Sequence, residues 1–168
     1  KCLDRGKLMY RAMAFWSLKE MPEGPECFAL AKRLNNWLAG ARISGVEILG
    51  GRYAKHGPPF GFAAEQPLAA GRLSIISIRS KGKLIYWLLD DGSAILNTLG
   101  MSGMWHRQKS KHCDLCMTFD QPEGRSGRDF PKRMWFKDQL HFGTLKRVDA
   151  AALERKLNEL GCDVLIRL

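Results

Sequence analysis

The sequence lacks the features of a membrane protein and of a disulfide-rich secreted protein. None of its apolar runs approaches the roughly 18 residues of a membrane-spanning helix. Its cysteines are odd in number, and they stand at irregular spacings at Cys2, Cys27, Cys113, Cys116 and Cys162. Because this pattern is no disulfide framework, a reducing compartment is the simpler interpretation. We therefore expect an intracellular protein without membrane insertion.

Acidic residues are scarce relative to basic ones. The 168 residues include 17 Asp and Glu against 27 Lys and Arg, which gives a formal net charge of +10. The hydrophobic content of 45% and charged content of 26% are typical of a globular domain that can bury a core without disulfides. An excess of positive charge favours a polyanionic partner, since neutralised phosphates release counterions. The composition thus predicts nucleic acid, either DNA or RNA, as the partner.

A zinc site is the metal centre that the cysteines could suggest. Cys113 and Cys116 have the spacing of half a zinc knuckle, and His106 and His112 are nearby. A second cysteine pair is missing, however, and residues 112–119 alternate as in a β-strand. We therefore expect no metal and no other cofactor.

Apolar periodicity predicts a helix, about eight strands and a second helix. The first helix covers Pro25–Leu38 and ends before Gly40, and the second covers about Ala150–Leu160 with Asp149 as its cap. Gly50–Gly71 is rich in Gly, Ala and Pro and predicts a long surface loop. The β-like segments between the helices are Ile43–Leu49, Leu73–Ile78, Leu84–Leu89, Ala94–Thr98, Met104–Arg107, Cys113–Phe119, Met134–Lys137 and Thr144–Val148. This order predicts a mainly β (α+β) fold: a two-layer β-sandwich of about eight strands flanked by an N-terminal and a C-terminal helix.

Residues 1–20 form a basic N-terminal extension. They carry five basic and two acidic residues, and Leu8–Leu18 has the pattern of an amphipathic helix. Such a segment is similar to the end of an organelle-targeting sequence, while a docking helix or an exogenous extension are the alternatives. Since the chain starts without methionine, we expect it to be incomplete or processed at its front. The expected location is the mitochondrion or another organelle, with the nucleus as the alternative.

Five motifs occur in a characteristic order along the chain. They are "MPEGPE" at 21–26, "SKGKL" at 80–84, "LGMSGMW" at 99–105, "FKDQLHFG" at 136–143 and "LGCDVL" at 160–165. Together they resemble the N-terminal domain of the formamidopyrimidine-DNA glycosylase/endonuclease VIII family. The resemblance implies that 21–168 is this domain, without the helix–two-turn–helix and zinc-finger modules that follow it in the family.

The resemblance also implies roles for individual residues. Family enzymes excise oxidised bases and then nick the backbone, so Pro22 would be the nucleophile that attacks the sugar C1′. Glu23 would protonate the sugar ring oxygen and shuttle protons afterwards. Lys83 would hold the phosphate beside the lesion. Each residue also has a structural explanation by itself, as a helix start or a strand-edge lysine.

Three further residues would contact nucleic acid according to the same resemblance. Met101 and Phe142 would fill the gap left by an everted nucleotide, although either could be a core residue. His141 stands where the family usually carries an arginine facing the backbone, and Leu140 stands where a void-filling arginine is usual. We expect the turns to bring several basic residues to one face beside these positions. The basic stretches are Arg79-Lys81-Lys83, Arg107-Lys109-Lys111, Lys132-Arg133 and Lys146-Arg147.

The internal position of Pro22 leaves three functions open. Its nitrogen belongs to an amide with Met21, and an amide lone pair is delocalised into the carbonyl. The first hypothesis is a repurposed, catalytically inactive domain that binds nucleic acid or serves with protein subunits in a larger assembly such as an organellar ribosome. The second is an active, bifunctional DNA glycosylase/AP lyase for oxidised bases whose Pro22 is exposed by processing. The third is a protein–protein scaffold.

Overall fold

The fold is an antiparallel β-sandwich with helices at both ends of the chain. The computed structural model describes residues 22–57, 73–122, 124 and 129–161. The helices are α1 (Gly24–Leu38), α2 (Gly51–His56) and α3 (Ala150–Glu159). The strands are β1 (Arg42–Ile48), β2 (Ile75–Lys81), β3 (Leu84–Leu89), β4 (Ala94–Thr98), β5 (Met104–His106), β6 (Cys113–Asp120), β7 (Arg133–Lys137) and β8 (Thr144–Val148).

The strands form two sheets of four. One sheet has the order β1-β6-β7-β5, and the other, called here the β2–β8 sheet, has the order β2-β3-β4-β8. A buried aromatic cluster joins them: the Trp87 ring of the β2–β8 sheet lies 5.4 Å from the ring of Trp105 and 6.4 Å from that of Phe119. Aromatic side chains bury large apolar areas, so this cluster contributes much of the contact between the sheets. The predicted two-layer sandwich with terminal helices is confirmed.

Helix α1 covers the edge of the β2–β8 sheet. The Glu26 carboxylate accepts a hydrogen bond from the backbone N–H of Glu23 at 3.1 Å, which satisfies a free donor at the helix start. Farther along, Asn35 Oδ1 accepts from the N–H of Ile78 at 2.8 Å, a donor on the outer edge of β2. At the other end of the chain, Asp149 caps α3 by accepting from the N–H of Ala152 at 2.7 Å, as its position predicted.

The predicted surface loop over Gly50–Gly71 is wrong at its start, where α2 forms. The carbonyl of Asp114 accepts from the N–H groups of Leu49 and Gly50 at 2.8 and 3.1 Å, and this fixes the entry to the helix. The buried Tyr53 hydroxyl then accepts from the N–H of Leu145 at 2.7 Å. Residues 58–72 lie outside the described residues, as do the N-terminal extension, Cys2 and Cys162. In the described part of the chain, no helix is long and apolar enough to cross a lipid bilayer.

The Tyr53 hydroxyl should stabilise the fold measurably. Changing Tyr53→Phe leaves the buried N–H of Leu145 without its acceptor, so we expect a loss of about 1–2 kcal/mol in the free energy of unfolding. Tyr86→Phe is the matched control, since Tyr86 is half-buried on β3 and its hydroxyl forms no hydrogen bond within the described residues. Denaturant unfolding of both variants measures the difference, and equal losses would contradict the assignment.

Candidate functional site

One end of the β2–β8 sheet brings together segments that are distant in the sequence. The antiparallel register pairs Lys81 with Leu84, Leu84 with Thr98, and Thr98 with Thr144. These residues are the end of β2, the start of β3, the end of β4 and the start of β8, so the four strand ends lie in a row. The hydroxyls of Thr98 and Thr144 are 2.7 Å apart and join the last two strands at this end.

Four of the candidate residues emerge from this row of strand ends. Lys83 lies in the turn between β2 and β3, and Met101 lies in the turn that follows β4. His141 and Phe142 lie in the segment that leads into β8. Turns on a rigid sheet are common positions for binding residues. The four residues therefore share one end of the molecule.

Glu23 is brought to the same end by an ion pair with Lys83. The Lys83 Nζ lies 2.8 Å from a Glu23 carboxylate oxygen, and the two side chains are 54% and 53% exposed. A Cβ added to Gly24 would lie 3.9 Å from the carbonyl of Gly82, so the start of α1 is close to the β2–β3 turn. An ion pair this exposed contributes only about 0–1 kcal/mol to stability. Its consequence is to hold an acid and a cation side by side.

Pro22 directly precedes this pair and is buried. Its nitrogen is acylated by Met21 in this sequence. An amide nitrogen is planar and non-nucleophilic because its lone pair is delocalised into the carbonyl. As the sequence stands, the arrangement offers an acid and a cation next to a blocked amine.

A buried carboxylate joins the Met101 turn to the Phe142 segment. Asp138 is fully buried, and it accepts from the Ser102 hydroxyl at 2.5 Å and from the N–H of Gly143 at 2.6 Å. The Ser102 hydroxyl in turn accepts from the N–H of Leu140 at 3.0 Å. Sequence reasoning missed Asp138 and Ser102. The available signal for Asp138 was an acidic residue directly after an apolar strand, β7.

The two connections also touch directly. Gly100 has φ +60°, and a Cβ at this position would lie 2.7 Å from the backbone nitrogen of Gly143 and from the carbonyl carbon of Phe142. The result is an apolar surface at the same end of the β2–β8 sheet as the ion pair, in which Phe142 is 58% exposed and Leu140 is 47% exposed. Exposed side chains of this kind can pack against a nucleic-acid base.

His141 is held by a second buried carboxylate. The residue has φ +59°, and its Nδ1 lies 2.8 and 3.0 Å from the two carboxylate oxygens of Asp114. Burial raises the pKa of Asp114, and the contact with His141 opposes that shift. The sequence placed Asp114 in a strand but gave no sign that both faces of β6 are buried there. Asp114 is therefore a site residue that sequence reasoning missed.

Arg147 does not share the sheet end that carries the candidate residues. It lies at the opposite end of the β2–β8 sheet, where it donates to the Ser93 hydroxyl at 3.0 Å and pairs with Asp91. The ammonium of Lys81 instead donates to the Leu157 carbonyl at 2.6 Å. The Arg107 guanidinium pairs with Asp129 at 2.7 Å. Register and local partners, which the sequence does not display, decide where these cations point.

The cysteines are buried and reduced where they are described. Cys27, Cys113 and Cys116 are free thiols. Burial raises the pKa of the Cys27 thiol, and the neighbouring Glu26 raises it further. Across the described ranges, no group of three or more His, Cys, Asp or Glu side chains is arranged to hold a metal ion.

A profile of the formamidopyrimidine-DNA glycosylase N-terminal domain matches residues 21–145 of the chain. The formamidopyrimidine-DNA glycosylase of Thermobifida fusca (strain YX) is 30% identical over 130 residues, which cover 74% of this chain and 43% of that protein. The enzyme of the same name from Nocardioides sp. is 33% identical over 135 residues, which cover 74% and 41%. The chain thus spans less than half the length of these two relatives.

Solved structures with the same name share the fold. The Lactococcus lactis formamidopyrimidine-DNA glycosylase, bound non-covalently to DNA with an AP site, superposes with a TM-score of 0.61 at 18% identity. That superposition covers 82% of this chain and 48% of the other. The Thermus thermophilus protein gives a TM-score of 0.59 at 22% identity, covering 83% and 44%. At such identities the likeness shows the fold alone.

The close approach of the two connections can be tested with a glycine pair. Gly100→Ala adds a Cβ that overlaps the backbone of Phe142 and Gly143, beyond the roughly 1 kcal/mol strain of a positive φ. Gly92→Ala is the control, because it has φ +80° with nothing within 4 Å of an added Cβ. Chemical denaturation should show a loss of at least about 2 kcal/mol for Gly100→Ala and about 1 kcal/mol for Gly92→Ala. Equal losses would mean that the contact is absent in solution.

Proposed function

The chain belongs to the formamidopyrimidine-DNA glycosylase family through its N-terminal domain, and on that premise we propose that it binds DNA at the end of the β2–β8 sheet. Relatives of known structure support DNA as the partner. The Lactococcus lactis enzyme has been solved with DNA containing an AP site and with DNA containing an oxidized pyrimidine. The chain's net charge of +10 favours the same partner.

The observation that carries this proposal is the grouping of Lys83, Glu23 and Phe142 at one sheet end. Lys83 offers a half-exposed ammonium that a phosphate can take over from the Glu23 carboxylate. Phe142 offers an exposed ring at the same end of the sheet, on which an unstacked base can lie. A cation for the backbone and a ring for the base are the two elements of recognition at a damaged or abasic nucleotide.

With residues 1–21 attached, this function is binding without covalent chemistry. A lyase step would need the Pro22 nitrogen to form a bond to C1′ and then to carry the positive charge of an iminium. The acylated nitrogen has no available lone pair for that bond. Glu23 and Lys83 then serve recognition of the sugar and the phosphate.

An active glycosylase/AP lyase is the second candidate, for a chain in which Pro22 is the first residue. The position of Glu23 favours it, since the acid directly follows the amine and is held at the start of α1. The free amine would attack C1′ while the bond from C1′ to the base breaks and the base leaves with a proton. Glu23 would protonate the ring oxygen as the sugar opens, and the resulting iminium would permit elimination of the 3′ phosphate.

The other hypotheses depend on different parts of the chain. The mitochondrial location and the place in a ribosomal or other assembly depend on residues 1–20 and on the net charge, and they stay predictions. A protein–protein scaffold would leave the arrangement of Lys83 and Phe142 without a ligand.

Borohydride trapping distinguishes the two candidates. We expect that the 168-residue chain forms no trapped adduct with DNA carrying an oxidised base or an abasic site, because the Pro22 nitrogen is an amide. The same DNA is offered to a chain that begins at Pro22 and to that chain with Glu23→Gln. An adduct at Pro22 with residues 1–21 still attached would overturn the binding-only proposal, whereas an adduct formed only after their removal would establish the second candidate.

Binding itself is tested through its salt dependence. Affinity for a duplex with an abasic site should fall as salt rises, by a log–log slope of about 0.7–0.9 for each phosphate contacted. Lys83→Ala should lower affinity and reduce the slope by about one, whereas Phe142→Ala should lower affinity at an unchanged slope. Lys156→Ala is the matched control, because Lys156 is also half-exposed and paired with an acid, Glu159, at 3.0 Å. Affinity that is independent of salt, or equal effects of Lys83→Ala and Lys156→Ala, would remove the proposal.

A further inference from the structure

We propose that Cys113 and Cys116 form a site for one soft, two-coordinate metal ion, and that this ion is Cu(I). Both cysteines belong to β6 in the sheet β1-β6-β7-β5, which contains neither Lys83 nor Phe142, so the proposal does not depend on DNA binding. The sequence predicts no metal at these cysteines because the second half of a zinc knuckle is missing. A two-coordinate ion needs only a pair of thiolates, so that reason does not apply to it.

Strand register places the two cysteines on one face of β6. Cys113 pairs with Lys137 of β7, and Cys116 pairs with Trp135. Residues directly opposite each other in an antiparallel pair point to the same face, and Lys137 and Trp135 share a face because they are two residues apart. The register shifts between Cys113 and Leu115, which takes up the odd residue. Without this irregularity, a spacing of three residues would place the two cysteines on opposite faces.

The shared face is the outer one, turned away from the β2–β8 sheet. The core residues of β6, which are Leu115, Met117 and Phe119, occupy the inner face. The two cysteines are free thiols and are nevertheless buried, with Cys113 8% and Cys116 2% exposed. Water therefore has little access to the sulfurs, which suits an ion whose coordination is complete with two ligands.

The span between the two cysteines favours a metal bridge over a disulfide. Residues two positions apart on one face of a strand have Cβ atoms about 6.5–7 Å apart. A disulfide requires Cβ atoms about 3.5–4.5 Å apart, because the two sulfurs are joined at about 2.05 Å. With metal–sulfur bonds of about 2.3 Å, a linear S–metal–S unit separates the sulfurs by about 4.6 Å. The extra length of about 2.5 Å allows the sulfurs to be joined without movement of the β6 backbone.

The donor set selects the ion. Thiolates are soft ligands that favour Cu(I) and Zn²⁺ among the common metals. Structural Zn²⁺ takes four ligands, and within the described ranges no third His, Cys, Asp or Glu is arranged to join the pair. Cu(I) is satisfied by two thiolates in a linear arrangement. The reducing conditions under which free thiols persist also keep copper in the Cu(I) state.

Ser110 holds one of the two sulfurs from the segment between β5 and β6. Its backbone N–H donates to Cys113 Sγ at 3.5 Å, and its hydroxyl lies 3.7 Å from the same sulfur. Donors of this kind orient metal ligands and persist when the sulfur binds an ion. The Cys116 thiol makes only a long contact with the Met117 carbonyl, at 3.9 Å, so little is lost when its proton leaves.

The charge around Cys116 is also suited to a bound ion. Each thiol releases one proton as its sulfur binds, so Cu(I) with two thiolates carries a net charge of −1. Arg133 and Lys109 lie close enough to Cys116 to act on it electrostatically. Both would offset the negative charge of the complex, whereas Glu47 opposes them from the neighbouring strand.

The test is Cu(I) uptake by a parent chain in which Cys2 and Cys162 are changed to Ser, because these thiols would compete for the ion. Cu(I) is supplied without oxygen as its coloured bathocuproine disulfonate complex. The parent should take up one ion per chain, and its thermal unfolding midpoint should rise, because a ligand that binds the folded state stabilises it. X-ray absorption should show two sulfur neighbours at about 2.3 Å and no nitrogen or oxygen neighbour.

Serine variants assign the ligands. Cys113→Ser and Cys116→Ser should each lose uptake and the rise in the unfolding midpoint. Cys27→Ser is the matched control and should keep both, since Cys27 is likewise a buried free thiol but lies on α1. Thermal unfolding without copper shows which variants are folded. The X-ray absorption result requires only the parent, so it decides the question even where a serine variant does not fold.

Several outcomes would overturn the proposal. They are an absence of uptake by the folded parent, equal uptake by the parent and a folded Cys113→Ser variant, and a spectrum with more than two copper ligands. A fourth is a Cys113–Cys116 disulfide formed by the folded parent in a glutathione redox buffer, since the sulfurs would then reach each other without a metal. Lys83→Ala should leave Cu(I) uptake unchanged, so loss of DNA binding in that variant and loss of copper binding in Cys113→Ser report on separate sites.

Discussion

The candidate site depends on the buried carboxylate of Asp138. A charged group without water is tolerated where protein donors saturate it, and here the donors are the Ser102 hydroxyl and the N–H of Gly143. One donor belongs to the turn that carries Met101, and the other belongs to the segment that carries Phe142. The two apolar side chains are therefore positioned by a polar contact below them. Removing the carboxylate would leave two connections without a common anchor.

Strand register is the second feature that positions the site. Successive pairing of Leu84 with Thr98 and of Thr98 with Thr144 aligns the strand ends, so the connections project from one side. Helix α1 begins against the turn of Gly82, which brings Glu23 to Lys83. The site is thus made of short connections on a rigid sheet, and three segments far apart in sequence meet without a long loop entering the core.

Much of this fold could be predicted from the sequence, because alternation and turn residues mark each strand locally. The strands over Leu84–Leu89, Ala94–Thr98 and Thr144–Val148 have the limits that the pattern predicted. Helix α2 could not be predicted, since its composition resembles a loop and its anchor is a hydrogen bond between Tyr53 and Leu145, distant in the chain. The candidate site, too, could be predicted from the sequence only in part. Motif order pointed to Glu23 and Lys83, yet their direct contact is a property of the packing between α1 and the β2–β3 turn.

Covalent chemistry at the candidate site depends on whether the Pro22 nitrogen is an amide or a free amine. Residues 1–21 acylate the nitrogen, but Glu23 still begins α1 and still pairs with Lys83. In a chain that begins at Pro22, the secondary amine would directly precede Glu23, the N-cap of a 15-residue helix, and the Glu23 carboxylate would still pair with the ammonium of Lys83. A phosphate bound at Lys83 would release that carboxylate toward the sugar, so binding of the backbone and readiness of the acid would be coupled at one ion pair.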